Sequence, residues 1–166
     1  MEVLFQQLIN GVSVGSLYAL IAIGYTMVYG VIRLINFAHG DVMMVSTYIA
    51  FFALTGFSLL GSVIPHMSWY VSFPITIVLT SVLGFLIERI AYRPLRGAPR
   101  ISALMTAIGV SFLLENLVLV IFGGRPKGFP TPDAFTGVFY IKGVALPSLS
   151  IWIFGITLTF LGATFY

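Results

Sequence analysis

Cysteine is absent from the 166 residues, and charge is scarce: eight Lys/Arg and five Asp/Glu make up 8% of the chain. Without cysteine there is no disulfide, no thiol nucleophile and no thiolate metal ligand. His39 and His66 are the only imidazoles, so neither a metal nor another cofactor is expected. Nucleotide-binding and hydrolytic motifs are missing too. The stretch Gly123-Gly124-Arg125-Pro126-Lys127-Gly128 has neither the spacing nor the hydroxyl residue of a phosphate-binding loop. No H-E-x-x-H or G-x-S-x-G occurs, and no acidic pair has the spacing of an intramembrane protease. Nothing supports catalysis.

What is present is apolar: 59% of the residues are hydrophobic. Soluble domains carry about 25% charged residues, and a chain this poor in charge cannot clothe its surface in water. Lipid is therefore the solvent for much of it. Five apolar blocks, each near the roughly 20 residues needed to span a bilayer, cover Leu8 to Ile32, Val42 to Ile64, Val71 to Ala91, Ser102 to Phe122, and Leu149 to the end at Tyr166. The expected fold is an all-α integral membrane protein of about five transmembrane helices, forming a single transmembrane domain over 1–166. The N-terminus carries no positive charge ahead of its long apolar run, which reads as a first span rather than a signal peptide.

Net charge is +3, and in this setting it reports topology rather than a nucleic-acid partner. Arg89, Arg93, Arg96 and Arg100 crowd the loop between the third and fourth spans. Placing that loop in the cytoplasm puts five basic residues inside, with Arg33, against three outside: Arg125, Lys127 and Lys142. The N-terminus is then external. The long segment Gly123 to Ser148 holds four of the eight prolines. It reads as a connector or as a docking surface for an external partner, with a short hairpin over Val138 to Leu146 turning at Lys142-Gly143.

Within the spans, Gly11, Gly15 and Ala19 recur every fourth residue, a small-residue face that lets another helix approach. Tyr18, Tyr25 and Tyr29 form a neighbouring stripe. The densest polar interruption is Arg33-Leu34-Ile35-Asn36-Phe37-Ala38-His39-Gly40-Asp41. Two readings fit it. It is either a tight cytoplasmic turn, with Asp41 at the positive end of the next helix dipole, or a broken, re-entrant element lining a water-filled cavity. Glu115 lies well inside the fourth span, where an acid costs a few kcal/mol unless paired, hydrated or protonated. It reads as a functional position or as one half of a hydrogen bond with Asn116 or another span. Asn36, His39, Asp41 and Glu115 are thus the candidate polar positions of a translocation path.

The run Asn10 to Gly30, then Ile35-Asn36-Phe37-Ala38-His39-Gly40-Asp41 and Glu88-Arg89-Ile90-Ala91-Tyr92-Arg93-Pro94-Leu95-Arg96, resembles the H-type permease subunit of branched-chain amino acid ABC importers. The likeness extends over essentially the whole chain. The Asn-Phe-Ala-His-Gly-Asp block marks the broader permease group, which includes urea and amide importers. The resemblance implies a multi-pass protein of the bacterial inner membrane that pairs with a second permease subunit around a path for leucine, isoleucine and valine. Two ATPase subunits would supply ATP hydrolysis, and a periplasmic amino-acid-binding protein would deliver the cargo. It also implies a longer chain whose charged, ATPase-docking loop follows the fifth span, so that the sequence ending at Tyr166 reads as an N-terminal part. The alternatives are a structural membrane subunit that never touches cargo and, further off, a proton-coupled transporter using Glu115 and His39.

Overall fold

A computed structural model describes residues 2–32, 36–59, 62–64, 67–95, 97–141 and 144–165. These contain five α-helices: α1 (Glu2–Ile32), α2 (His39–Thr55), α3 (Trp69–Ile87), α4 (Arg100–Phe122) and α5 (Ser148–Phe165). Lipid offers backbone groups no hydrogen-bond partner, so an apolar chain satisfies them within its own helices. Val3–Gly30, Trp69–Leu95 and Ile101–Phe122 are long and apolar enough to cross a membrane, and Ser148–Thr164 is a shorter apolar helix.

The second apolar block departs from the expected single span. Helix α2 stops at Thr55, and the strands β1 (Phe57–Leu59) and β2 (Ser62–Ile64) form an antiparallel hairpin with Phe57 opposite Ile64. The 17 residues of α2 rise only about 25 Å. Gly56 ends the helix at φ 79°, donating its N–H to the Phe52 carbonyl at 2.9 Å. Positive φ is open to glycine without a Cβ clash. Apolar periodicity cannot tell a short buried strand from more helix.

The chain divides into two compact units, residues 1–32 with 131–166, and residues 33–130. In the first, α1 lies along α5, and β3 (Val138–Ile141) pairs antiparallel with β4 (Val144–Pro147). This is the expected hairpin; its turn at Lys142-Gly143 lies outside the described residues. The second unit holds α2, α3 and α4. There α3 runs on through a π-helical turn (Glu88–Tyr92) into a 3-10 turn (Arg93–Leu95).

Little apolar surface is consumed within either unit. Ala103, Ala107, Leu114 and Val118 form a single buried stripe along α4, whereas Val120 on the same helix is 83% exposed. Exposed leucine, valine or phenylalanine lines α1, α3, α4 and α5, whereas Met43 is the exposed large apolar side chain described on α2. Such a surface suits lipid or neighbouring apolar helices, not water.

Candidate functional site

The polar interruption is a turn where the structure describes it. Asn36 folds its side chain over the backbone, its Oδ1 accepting the Ala38 N–H at 3.1 Å. Its carbonyl accepts the His39 N–H at 3.2 Å. This local capture by an Asn side chain is the usual way such residues start a turn. His39 then opens α2, and Asp41 lies in its first turn, where the helix dipole favours a negative charge. Arg33, Leu34 and Ile35 lie outside the described residues, as does His66.

A second segment closes on this turn from the far end of α3. The Tyr92 hydroxyl donates to Asn36 Oδ1 at 2.7 Å. Tyr92 is delivered by the π turn, which adds a residue to the helical repeat and so re-aims the side chains that follow. Pro94 accounts for the departure from α-helix. It has no N–H to give and its ring crowds the carbonyl four residues back, that of Ile90.

Helix α4 completes the cluster: the Ser111 hydroxyl donates to Asp41 Oδ2. The structure therefore brings Asn36, His39 and Asp41 to one end of α2, with Tyr92 and Ser111 supplying contacts that the sequence did not reveal.

Three helical turns further along, Phe122 of α4 meets α2 again. Its ring lies 5.0 Å from Tyr48 and 4.8 Å from Phe52, centroid to centroid. Asp41 to Phe52 and Ser111 to Phe122 are equal steps of eleven residues, about 16 Å of helix rise. The two helices thus run parallel, in step, with a polar contact at one end and an aromatic one at the other.

Glu115 lies between these two levels. It lines a cleft of about 470 Å³ with Met44 and Tyr48 of α2 and with Arg125 and Lys127, which follow α4. Gly123 ends α4 at φ 75° and lets the chain turn back. Lys127 Nζ then rests among four rings, 4.9 Å from the Phe52 centroid and 5.6 to 5.7 Å from those of Tyr48, Phe51 and Phe122. Of the two readings of Glu115, the hydrogen bond with Asn116 is not seen among the described residues; the Asn116 amide donates to the Phe112 carbonyl at 2.7 Å in its own helix. Glu115 has no hydrogen bond or ion pair with a described residue.

In the other unit, polar side chains of α1 make contacts with β4 and α5. The Gln6 amide brackets Ala145, accepting its N–H at 2.9 Å and donating to its carbonyl at 3.0 Å. Ser13 Oγ donates to Ser150 Oγ at 2.8 Å, and the Thr157 hydroxyl stands 3.2 Å from the Ser16 carbonyl. Gly11 and Gly15 lie on a different side of α1. A Cβ added to either would meet nothing within 4 Å.

Residues 7–166 match the family described as branched-chain amino acid transport system / permease component. The chain belongs to this family. It is 46% identical over 165 residues to the high-affinity branched-chain amino acid transport system permease protein BraD of Pseudomonas aeruginosa, covering 97% of this chain and 54% of that protein. It is 46% identical over 126 residues to the corresponding protein LivH of Escherichia coli K12, covering 76% of this chain and 41% of that one. LivH of Salmonella typhimurium is 45% identical over the same length. The chain thus spans about half the length of the curated relatives it matches. No solved structure matches it. The family and the apolar helices together make it a multi-pass membrane permease chain.

Proposed function

We propose that this chain is the membrane-spanning permease subunit of an ATP-driven importer of branched-chain amino acids, and that α2 and α4 form one wall of its translocation path. The family match over residues 7–166 carries this reading. The polar stripe from Asp41 and Ser111 to Glu115 gives the wall a physical basis, since few polar groups along an apolar surface suit an apolar amino acid. Both compact units then belong to a single permease domain in the bacterial inner membrane. A second permease subunit, two ATPase subunits that hydrolyse ATP, and a periplasmic amino-acid-binding protein complete the assembly. With the basic loop Arg89 to Arg100 in the cytoplasm, α2 and α4 both run outward, and the Glu115 cleft faces the side from which cargo arrives.

The test is uptake of labelled leucine by the permease reconstituted in proteoliposomes with those partners. ATP-dependent uptake, competed by isoleucine and valine but not by urea, is the expected result. Uptake that survives Asp41→Ala and Glu115→Ala together would remove both residues from the path. Uptake of urea instead of leucine would reassign the cargo.

A further inference from the structure

Opposite charges sharing an apolar cleft ordinarily collapse into an ion pair, because little water is present to screen them. Glu115 shares its cleft with Arg125 and Lys127, yet its carboxylate is unpaired among the described residues. Lys127 explains part of this. Its ammonium is held by the electron-rich faces of Tyr48, Phe51, Phe52 and Phe122, all within 5.7 Å. Aromatic faces attract a cation without neutralising it. The cage therefore gives Lys127 an electrostatic partner other than Glu115 and keeps the two charges apart. The result is a cleft with a carboxylate on α4, cations on the returning segment, and Met44, Val118 and Leu119 as apolar lining between.

We propose that this cleft is a binding site for a free, zwitterionic amino acid with an apolar side chain. The α-ammonium pairs with the Glu115 carboxylate. The α-carboxylate pairs with Arg125 and the caged Lys127, and the side chain lies against Met44, Val118 and Leu119. The cleft's volume of about 470 Å³ falls within the range of small-molecule sites. The site rests on the permease reading for its cargo but makes a narrower claim, namely that this chain itself recognises both charged ends of the molecule. Lys127 is a positioning residue as well as a contact, because the rings fix where its charge stands.

Ligand-observed saturation-transfer NMR on the nanodisc-embedded permease assembly, without the binding protein, tests this. The probes are L-leucine, 4-methylpentanoate, which lacks the ammonium, and 3-methylbutylamine, which lacks the carboxylate. Leucine is expected to bind, and each one-ended analogue to bind at least tenfold more weakly. Glu115→Gln and Lys127→Gln should each weaken leucine tenfold or more; both side chains are exposed, so neither exchange disturbs a core. Phe122→Leu, which opens the cage, should weaken leucine while circular dichroism stays unchanged. Equal binding of leucine and 3-methylbutylamine, or leucine binding unaffected by Glu115→Gln, would overturn the site. ATP-driven leucine uptake with no leucine signal on the assembly would overturn the site and leave the permease reading standing. Absence of uptake in the wild type would strike that reading itself.

Discussion

Tyr92 and Asn36 stand 56 residues apart in the chain and 2.7 Å apart in space, the phenol donating to the amide oxygen. That oxygen already holds the Ala38 N–H at 3.1 Å, so a single acceptor joins the end of α3 to the start of α2. Two of the three sequence blocks that carry the family likeness are therefore two halves of one contact.

Removing either half should cost stability in proportion to the bonds lost. Tyr92→Phe deletes one hydrogen bond and leaves the turn, for about 1 kcal/mol. Asn36→Leu deletes both bonds to the side chain and frees the turn, for roughly twice that. Unfolding by SDS titration in mixed micelles measures both. An equal cost for the two exchanges would mean that Asn36 acts only through Tyr92.

The Asp41–Ser111 contact should behave as a charge-assisted pair. A double-mutant cycle with Asp41→Asn and Ser111→Ala is expected to give a coupling of about 1–2 kcal/mol, within the range for hydrogen bonds to charged groups. Asp41→Asn keeps an acceptor but loses the favourable interaction of its charge with the α2 dipole, so it should destabilise even in the Ser111→Ala background. A coupling of zero would reduce the contact to mere proximity.

Much of this architecture was legible in the sequence because lipid imposes a simple rule on long apolar runs. Four of the five blocks became helices over nearly their whole length, and the prolines and glycines after Phe122 marked the long connector. Three features were hidden, each for a physical reason. The β1–β2 hairpin was hidden because an apolar run ending in strands has the same composition as one that stays helical. Tyr92 and Ser111 were hidden because hydroxyl residues are common in membrane helices and partners 56 and 70 residues away leave no local mark. Lys127 was counted only as a charge in a loop. The spacing of Tyr48, Phe51 and Phe52 at i, i+3 and i+4 places three rings on one side of α2 and was the available hint of a cage. Glu115, by contrast, stood out at once, since a lone acid in an apolar span has no bland neighbours to hide among.

The small-residue face of α1 separates two contributions that usually mix. Because an added Cβ at Gly15 meets nothing within 4 Å, Gly15→Ala should raise helix stability by up to about 1 kcal/mol through reduced chain entropy. Gly15→Leu should leave the Gln6, Ser13 and Ser16 contacts with β4 and α5 intact. If a helix of another subunit approaches this face, the same Leu exchange should weaken assembly by roughly two- to tenfold, an effect of about 0.4–1.4 kcal/mol. Co-purification of the subunits at limiting detergent reads this out, with Gly11→Leu as its companion. Unaltered assembly in both variants would assign the face to lipid.

Lys127 should control the order of the segment that returns over α2 and α4. Its ammonium makes the cation–π contacts described for the rings there, and such contacts contribute about 0.5–2 kcal/mol depending on how far they are desolvated. Lys127→Met keeps the length and apolar stem of the side chain but removes the charge. Hydrogen exchange across Gly124 to Gly128 should then accelerate by roughly 5- to 30-fold, the factor that corresponds to one to two kcal/mol. Arg at this position keeps the charge and stacks well on aromatic faces, so Lys127→Arg should restore most of the protection. Exchange in α3, which contributes no ring to the cage, should not change in either variant. Faster exchange in the Arg variant equal to that in the Met variant would show that the rings respond to side-chain shape and not to charge.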